Sequence, residues 1–314
     1  MSAGLWLSLT VSLGCSPPRP KIRVAGIPWV GYAPLFLARD LGHYQSSPLH
    51  LLESASNSAS LMALAARATE AATLTLDECL SARAAGLDLR VILVFDESAG
   101  ADVIMARSHI RSLQDLRGKR VGLEEGATGA LLLTRVLSTA GLRPEDIDKV
   151  TLSPPDQVRA FVAGKIDAVV SFEPHATHLA QAGAHRLVDS RQFPGLIVDV
   201  LAVRRDAIEA DAAAFTHLLA GYFRALAYLQ RSRAEAAERI ARQMGITTEE
   251  VLDALGGIRL FDLQENHAWL GGPNPRLRGV ADRLNRLMLD ARLLAQAADT
   301  WDLAEGRFLP SLPA

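Results

Sequence analysis

The feature that most constrains this chain is an alternation of short apolar runs with longer amphipathic stretches, which stops once and starts again. From Lys21, "KIRVAGI" is followed by "APLFLARDLGHY", "LHLLES" by "NSASLMALAARA", and "AATLTL" by "DECLSARAAG", before "LRVILVF" closes the first set. The runs are four to seven residues long, unbroken and rich in Val, Ile and Leu. That is the pattern of strands covered on both faces, as in a parallel sheet. The stretches between them carry helix punctuation: Pro34 opens one and Gly42 ends it. The alternation resumes at Asp102 with "DVIMAR" and runs through "KRVGLE", "ATGALLLTRVLSTAG", "KVTLS", "PDQVRAFVAGKI", "DAVVSF", "EPHATHLAQAG" and "HRLVD". After "GLIVDVLAVR" the character changes, and from Asp206 the pattern is helical, led by "AAAFTHLLAGYFRALAYLQ".

Two β/α sets and a helical tail predict an α/β protein of two lobes. "DESAGAD" (96–102) leaves the first set, and "FPGLIVDVLAVR" (193–204) leaves the second and returns to the first. Two such crossings make a two-strand hinge. The expected division is residues 1–20 as a leader and linker, 21–100 with 198–314 as lobe 1, and 101–197 as lobe 2, with the tail packing on lobe 1.

With 49% hydrophobic residues and a net charge of -2 across 314 residues, the chain has an ordinary core and no basic block for nucleic acid. The N-terminal "GLWLSLTVSLGC" is too short to span a bilayer and fits the apolar part of a secretory signal. Gly14 before Cys15 fits lipoprotein processing, with Cys15 lipidated and the mature protein anchored at the membrane in the periplasm or cell envelope. Cys79 has no cysteine partner and is expected to be a small buried residue.

Ligands of open α/β sheets sit beyond the carboxyl ends of strands, so two facing lobes form a cleft there. "PWVGYAP" puts Trp29 and Tyr32 at such an end, in a turn where neither is expected to be fully buried. The other strand ends supply Ser54, Ser56 and Asn57, then Asp77 and Glu78; the hinge supplies Asp96, Glu97, Ser98 and Asp102. From the second set come Glu124, Glu125, Thr128, Ser153, Glu173 and His175, with Asp199 on the return crossing. Each carboxylate has a structural reading as a helix cap or first-turn residue. Trp29, Tyr32, Ser54, Asn57, Asp77, Glu97, Asp102, Glu124, Thr128 and Glu173 form the expected ligand set, with Glu97, Glu124 and Glu173 in direct contact. No Lys or Arg stands among these positions. A carboxylate is acceptor-only, so the set leans to an NH-rich or cationic ligand under an aromatic lid. The alternative is an oxyanion held by the free N–H groups of "GATG" (126–129), or bicarbonate bridged by Ca²⁺.

Several of these segments, in order, resemble a family of ABC-importer substrate-binding proteins, the one that takes up nitrate, taurine, alkanesulfonates and thiamine pyrimidine precursors. They are "GYAPLFLARDLGHY", "AATLTLDE", "DESAGADVIMAR", "SLQDLRGKRVGLEEGATG", "VRAFVAGKIDAVVSFEPH" and "PGLIVDVLAVR". The resemblance implies a two-lobed periplasmic binding protein fold of the second type. It implies a monomer with a small-molecule ligand, permease and ATPase partners, no cofactor and no catalysis. No nucleophile elbow, phosphate loop, dinucleotide fingerprint or zinc-protease motif is present. His175 and His178 lack a third ligand at matching spacing, so no metal site is expected. A ligand-sensing module and a pyrimidine-synthesising enzyme on the same fold are the other readings.

Overall fold

The computed structural model describes residues 22–45, 49–124 and 128–312. The leader, Cys15 and part of "GATG" lie outside the described residues. The apolar runs form two sheets. The first holds β1 (Ile22–Gly26), β2 (Leu49–Glu53), β3 (Ala71–Thr75), β4 (Leu89–Ser98), β10 (Val198–Arg204) and β11 (Ile258–Leu260), in the order β11-β4-β10-β3-β1-β2. The second holds β5 (Asp102–Ala106), β6 (Arg120–Leu123), β7 (Asp148–Thr151), β8 (Ala168–Phe172) and β9 (His185–Asp189), in the order β7-β6-β8-β5-β9.

Neither sheet is purely parallel, which corrects the expectation from the apolar runs. β1 runs parallel to β2 and β3, and β6 to β7 and β8, but β10 is antiparallel to β3 and β4, and β5 is antiparallel to β8 and β9. The reason lies in the crossings. The chain passes from β4 to β5 through residues 99–101 and from β9 to β10 through residues 190–197, each time from one sheet to the other. β10 therefore enters where β3 and β4 end, and β5 where β8 and β9 end, so each runs back against those neighbours.

Between the strands lie α1 (Ala33–Asp40), α2 (Asn57–Ala65), α3 (Leu76–Ala84), α4 (Thr128–Thr139), α5 (Pro154–Val162) and α6 (His175–Gln181). Their starts are set by local chemistry. The Ser56 hydroxyl accepts the Ala59 N–H at 3.1 Å, and the Thr75 N–H donates to Glu78 Oε2 at 3.0 Å. Pro154 opens α5, where its missing N–H costs nothing.

The tail forms α7 (Arg205–Ala210), α8 (Ala212–Arg231), α9 (Arg233–Met244), α10 (Thr248–Gly256), α11 (Leu263–Leu270) and α12 (Arg276–Asp290). α8 packs on α1, α12 on α3 and α11 on β4. Asn266 of α11 is fully buried and fastens the tail: its side chain accepts the Val94 N–H at 2.8 Å and donates to the Val94 carbonyl at 3.0 Å. β11 extends the first sheet at its β4 edge. Among the described residues no helix is long and apolar enough to cross a membrane.

Candidate ligand site

The amino ends of five helices, drawn from both sheets, surround one cavity of about 50 Å³. Tyr32 caps α1, Asn57 begins α2, Thr75 caps α3, Thr128 and Gly129 begin α4, and Pro154 begins α5; all of them line the cavity. Every β→α turn delivers a helix start to the carboxyl end of its sheet, so this convergence follows from the topology. Each start carries partial positive charge, although α5 opens on Pro154 and Pro155, which have no N–H, and α1 has Pro34 in its first turn. No Lys, Arg or His is among the lining residues.

The aromatic turn lies on this wall, but deeper than its position in the sequence predicts. Trp29 is 4% exposed and Tyr32 1%. The indole of Trp29 packs edge-on against Phe172 at the end of β8, 5.6 Å between ring centroids at 87°, joining the first sheet to the second. The Tyr32 hydroxyl donates to Asp199, which sits opposite Asp96 in the β10–β4 register. Gly31 makes room for this arrangement: a Cβ there would lie 1.9 Å from Asp96 Oδ2 and 2.5 Å from Trp29 Nε1.

Of the expected residues, Trp29, Tyr32, Asn57, Asp102, Glu124 and Thr128 line the cavity, while Ser54, Asp77, Glu97 and Glu173 are not among the lining residues. Glu97 is beside buried Asp96 on a strand, so the two side chains face opposite ways. It accepts the Gly195 N–H at 2.6 Å and pairs with Arg259 at 2.9 Å, bracing the return crossing. Glu173 accepts from the Thr177 N–H and hydroxyl at 3.0 and 2.8 Å and pairs with Arg186 at 3.2 Å. Asp77 lies just behind the wall in the first turn of α3, 3.5 Å from the Thr128 hydroxyl, which donates to Thr75 at 2.8 Å. The Ser54 N–H continues the ladder beside β1 by donating to the Gly26 carbonyl at 2.8 Å.

The sequence reading left out Thr75, Gln157, Ser171 and Phe172. Thr75, Ser171 and Phe172 end strands and were open to the same strand-end argument. Gln157 is a full turn into α5, and no sequence signal marks it. Ser171 and Gln157 are each 1% exposed, and Ser171 Oγ and Gln157 Oε1 have no hydrogen-bond partner among the described residues. Buried polar atoms left unpaired on a cavity wall are placed for a guest.

Burial sets the electrostatics of the wall. It pushes Asp102 up to about 6 and Asp199 up to about 7, and it pushes Asp77, behind them, up to about 6. Asp96 stands well above the ordinary carboxylate range, from burial first and then from the charge of Asp199. A carboxyl that keeps its proton donates a hydrogen bond and carries no charge. Burial also pushes the Cys79 thiol up to about 12, far from a nucleophilic thiolate. His175, displaced by burial to about 4, is neutral, and His178 faces Glu250 at 3.5 Å. Among the described residues no group of three metal-ligating side chains occurs.

Residues 16–245 match the model of the NMT1-like family. The chain belongs to that family. A putative aliphatic sulfonates-binding protein of Escherichia coli K12 is 32% identical over 168 residues, a match covering 52% of this chain and 52% of that protein. The chain thus spans about half the length of that relative. The taurine-binding periplasmic protein of the same organism is 24% identical over 231 residues, covering 70% of this chain and 71% of its own. The alkanesulfonate-binding protein of Xanthomonas axonopodis pv. citri, solved bound to MOPS, superposes with a TM-score of 0.76 at 22% identity, over 90% of this chain and 97% of that one. The fold of this NMT1-like chain is therefore that of the periplasmic binding proteins.

Proposed function

We propose that this protein is the substrate-binding component of an ABC importer, closing on a small oxyanion of the sulfonate type and passing it unchanged to a permease and its ATPase. Residues 22–100 with 198–312 form one lobe and residues 101–197 the other. The observation that carries the reading is the set of five helix amino ends around one small cavity. Such ends favour anions through the helix dipole and, where no proline or carboxylate occupies them, through N–H groups, without any Lys or Arg. The relatives named for aliphatic sulfonates and taurine fit that chemistry. Ile27, Val170, Phe172 and Ile197 supply an apolar wall for the organic part of the ligand.

The lean to an NH-rich or cationic ligand is withdrawn. The relatives' names do not support it, and its physical premise fails. It counted all the carboxylates as charge free for a ligand, whereas Glu97 and Glu173 are taken up by arginines, Glu124 accepts from Ser58, and burial raises Asp102 to about 6 and Asp199 to about 7. The ligand is proposed to contact Trp29, Tyr32, Asn57, Thr75, Thr128 and Ser171.

Calorimetric titration tests the reading with ethanesulfonate, taurine, nitrate, bicarbonate with and without Ca²⁺, and guanidinium. Metal-independent binding of the sulfonates, with the ligand recovered intact, is expected. Binding of guanidinium with no response to any anion would overturn the reading, and conversion of a bound sulfonate would overturn its binding-only character.

A further inference from the structure

The amino end of α2 differs from its neighbours in what already occupies it. Glu124, just beyond β6, reaches across to the first sheet. Its Oε1 accepts the Ser58 hydroxyl at 2.6 Å and the Ser58 backbone N–H at 3.3 Å. The following N–H, of Ala59, is held by Ser56. A carboxylate from the second sheet thus sits where a bound anion sits at a helix start. Glu124 also lines the cavity, together with Asp102 and Asp199. On the same cavity wall, the hydroxyl of Ser171, 1% exposed and unpaired among the described residues, remains free to donate to an incoming anion.

We propose that Glu124 determines ligand charge: it is a tethered anion that holds the amino end of α2 against any second acidic group, so the site accepts ligands with a single negative charge. This rests on the sulfonate-type reading above. A sulfonate takes the open donors, namely Ser171 and the start of α4. Glu124 lines the same cavity as Ser171 and Thr128, so a second acidic group on the same ligand is brought beside it. Like charges in a partly desolvated site repel strongly, and no lysine or arginine on the wall offsets them.

The test compares two probes of similar size, 2-hydroxyethanesulfonate with one charge and sulfoacetate with two. The wild-type protein is expected to prefer the monoanion by at least roughly tenfold in Kd. Glu124→Gln keeps an oxygen for Ser58 and removes the charge. It is expected to shrink the preference roughly tenfold, mainly by tightening sulfoacetate. Glu124→Ala removes the carboxylate altogether and serves as a second variant, with thermal melting as the check that each is folded. A wild-type protein that binds both probes equally, or a preference that survives in the folded variants, overturns the inference alone. Binding of neither probe by the wild-type protein overturns the sulfonate reading and this inference with it.

Discussion

Asp199 shows how burial resets the charge of a residue picked as an acid. It lies on a strand between two others, 3% exposed, beside Asp96 and under the Tyr32 hydroxyl. Burial and its neighbours raise it from 3.8 to about 7, so the folded chain holds this proton more tightly than the unfolded chain does. That stability is fully present below about pH 4 and is lost as pH rises through about 7. Asp199→Asn fixes the uncharged form. In urea unfolding it is expected to match wild type near pH 4 and to exceed it by about 2–4 kcal/mol at pH 8. A difference that does not grow with pH would refute this. The same titration acts on binding: as Asp102 and Asp199 ionise between about pH 6 and 7, sulfonate affinity is expected to fall roughly tenfold by pH 8. A rise over that range would point to a cation. The sequence carried the identity of these acids but not their ionisation, because charge state depends on burial by segments a hundred residues away. It carried the site position of Trp29 from one turn, but not the depth of burial, which Phe172 of the other sheet provides.

At the scale of elements, hydrophobic period and caps made the strands and helices legible, while the direction of β5 and β10 was not. An apolar run looks the same beside a parallel or an antiparallel neighbour; direction depends on the end at which the strand enters its sheet, and reading 96–102 and 193–204 as a hinge left that end open. β11 was missed because three residues carry no period. Gly221 shows a helix yielding propensity to packing. It stands inside α8, where Ala is preferred by about 1 kcal/mol. Yet a Cβ there would lie 2.3 Å from Cε1 of Tyr44, whose ring packs against this face. Gly221→Ala is expected to destabilise the protein by about 1–3 kcal/mol despite the better helix former, since a buried ring has to shift. Gly221→Ala with Tyr44→Leu is expected to recover part of that loss. Chemical denaturation of the two variants checks it, and a single variant more stable than wild type would show that α8 moves away at no cost.

At the scale of the whole molecule, the proposed closure is already bridged by side chains of the protein itself. The Thr128 hydroxyl donates to the Thr75 hydroxyl at 2.8 Å, the Ser58 hydroxyl donates to Glu124 at 2.6 Å, and Trp29 meets Phe172. All three join elements of the first sheet to elements of the second, and all border the cavity, so closure and ligand enclosure are one event. Hydrogen bonds of this kind contribute about 0.5–1.5 kcal/mol each, against competition from water when the lobes part. Two of them bias an open–closed equilibrium by about 1–3 kcal/mol, or roughly 5- to 150-fold. A ligand has only to add its own preference for the closed form. Ser58→Ala with Thr128→Val removes both hydroxyls and leaves the hinge strands untouched. The ligand-free variant is expected to show a larger radius of gyration than ligand-free wild type in small-angle scattering, and saturating ethanesulfonate is expected to compact it. Wild type is expected to change less, because part of its population is closed beforehand. Equal radii for the two ligand-free proteins would mean that these bonds form only after closure is driven by something else, leaving Trp29 and Phe172 as the contact to remove next.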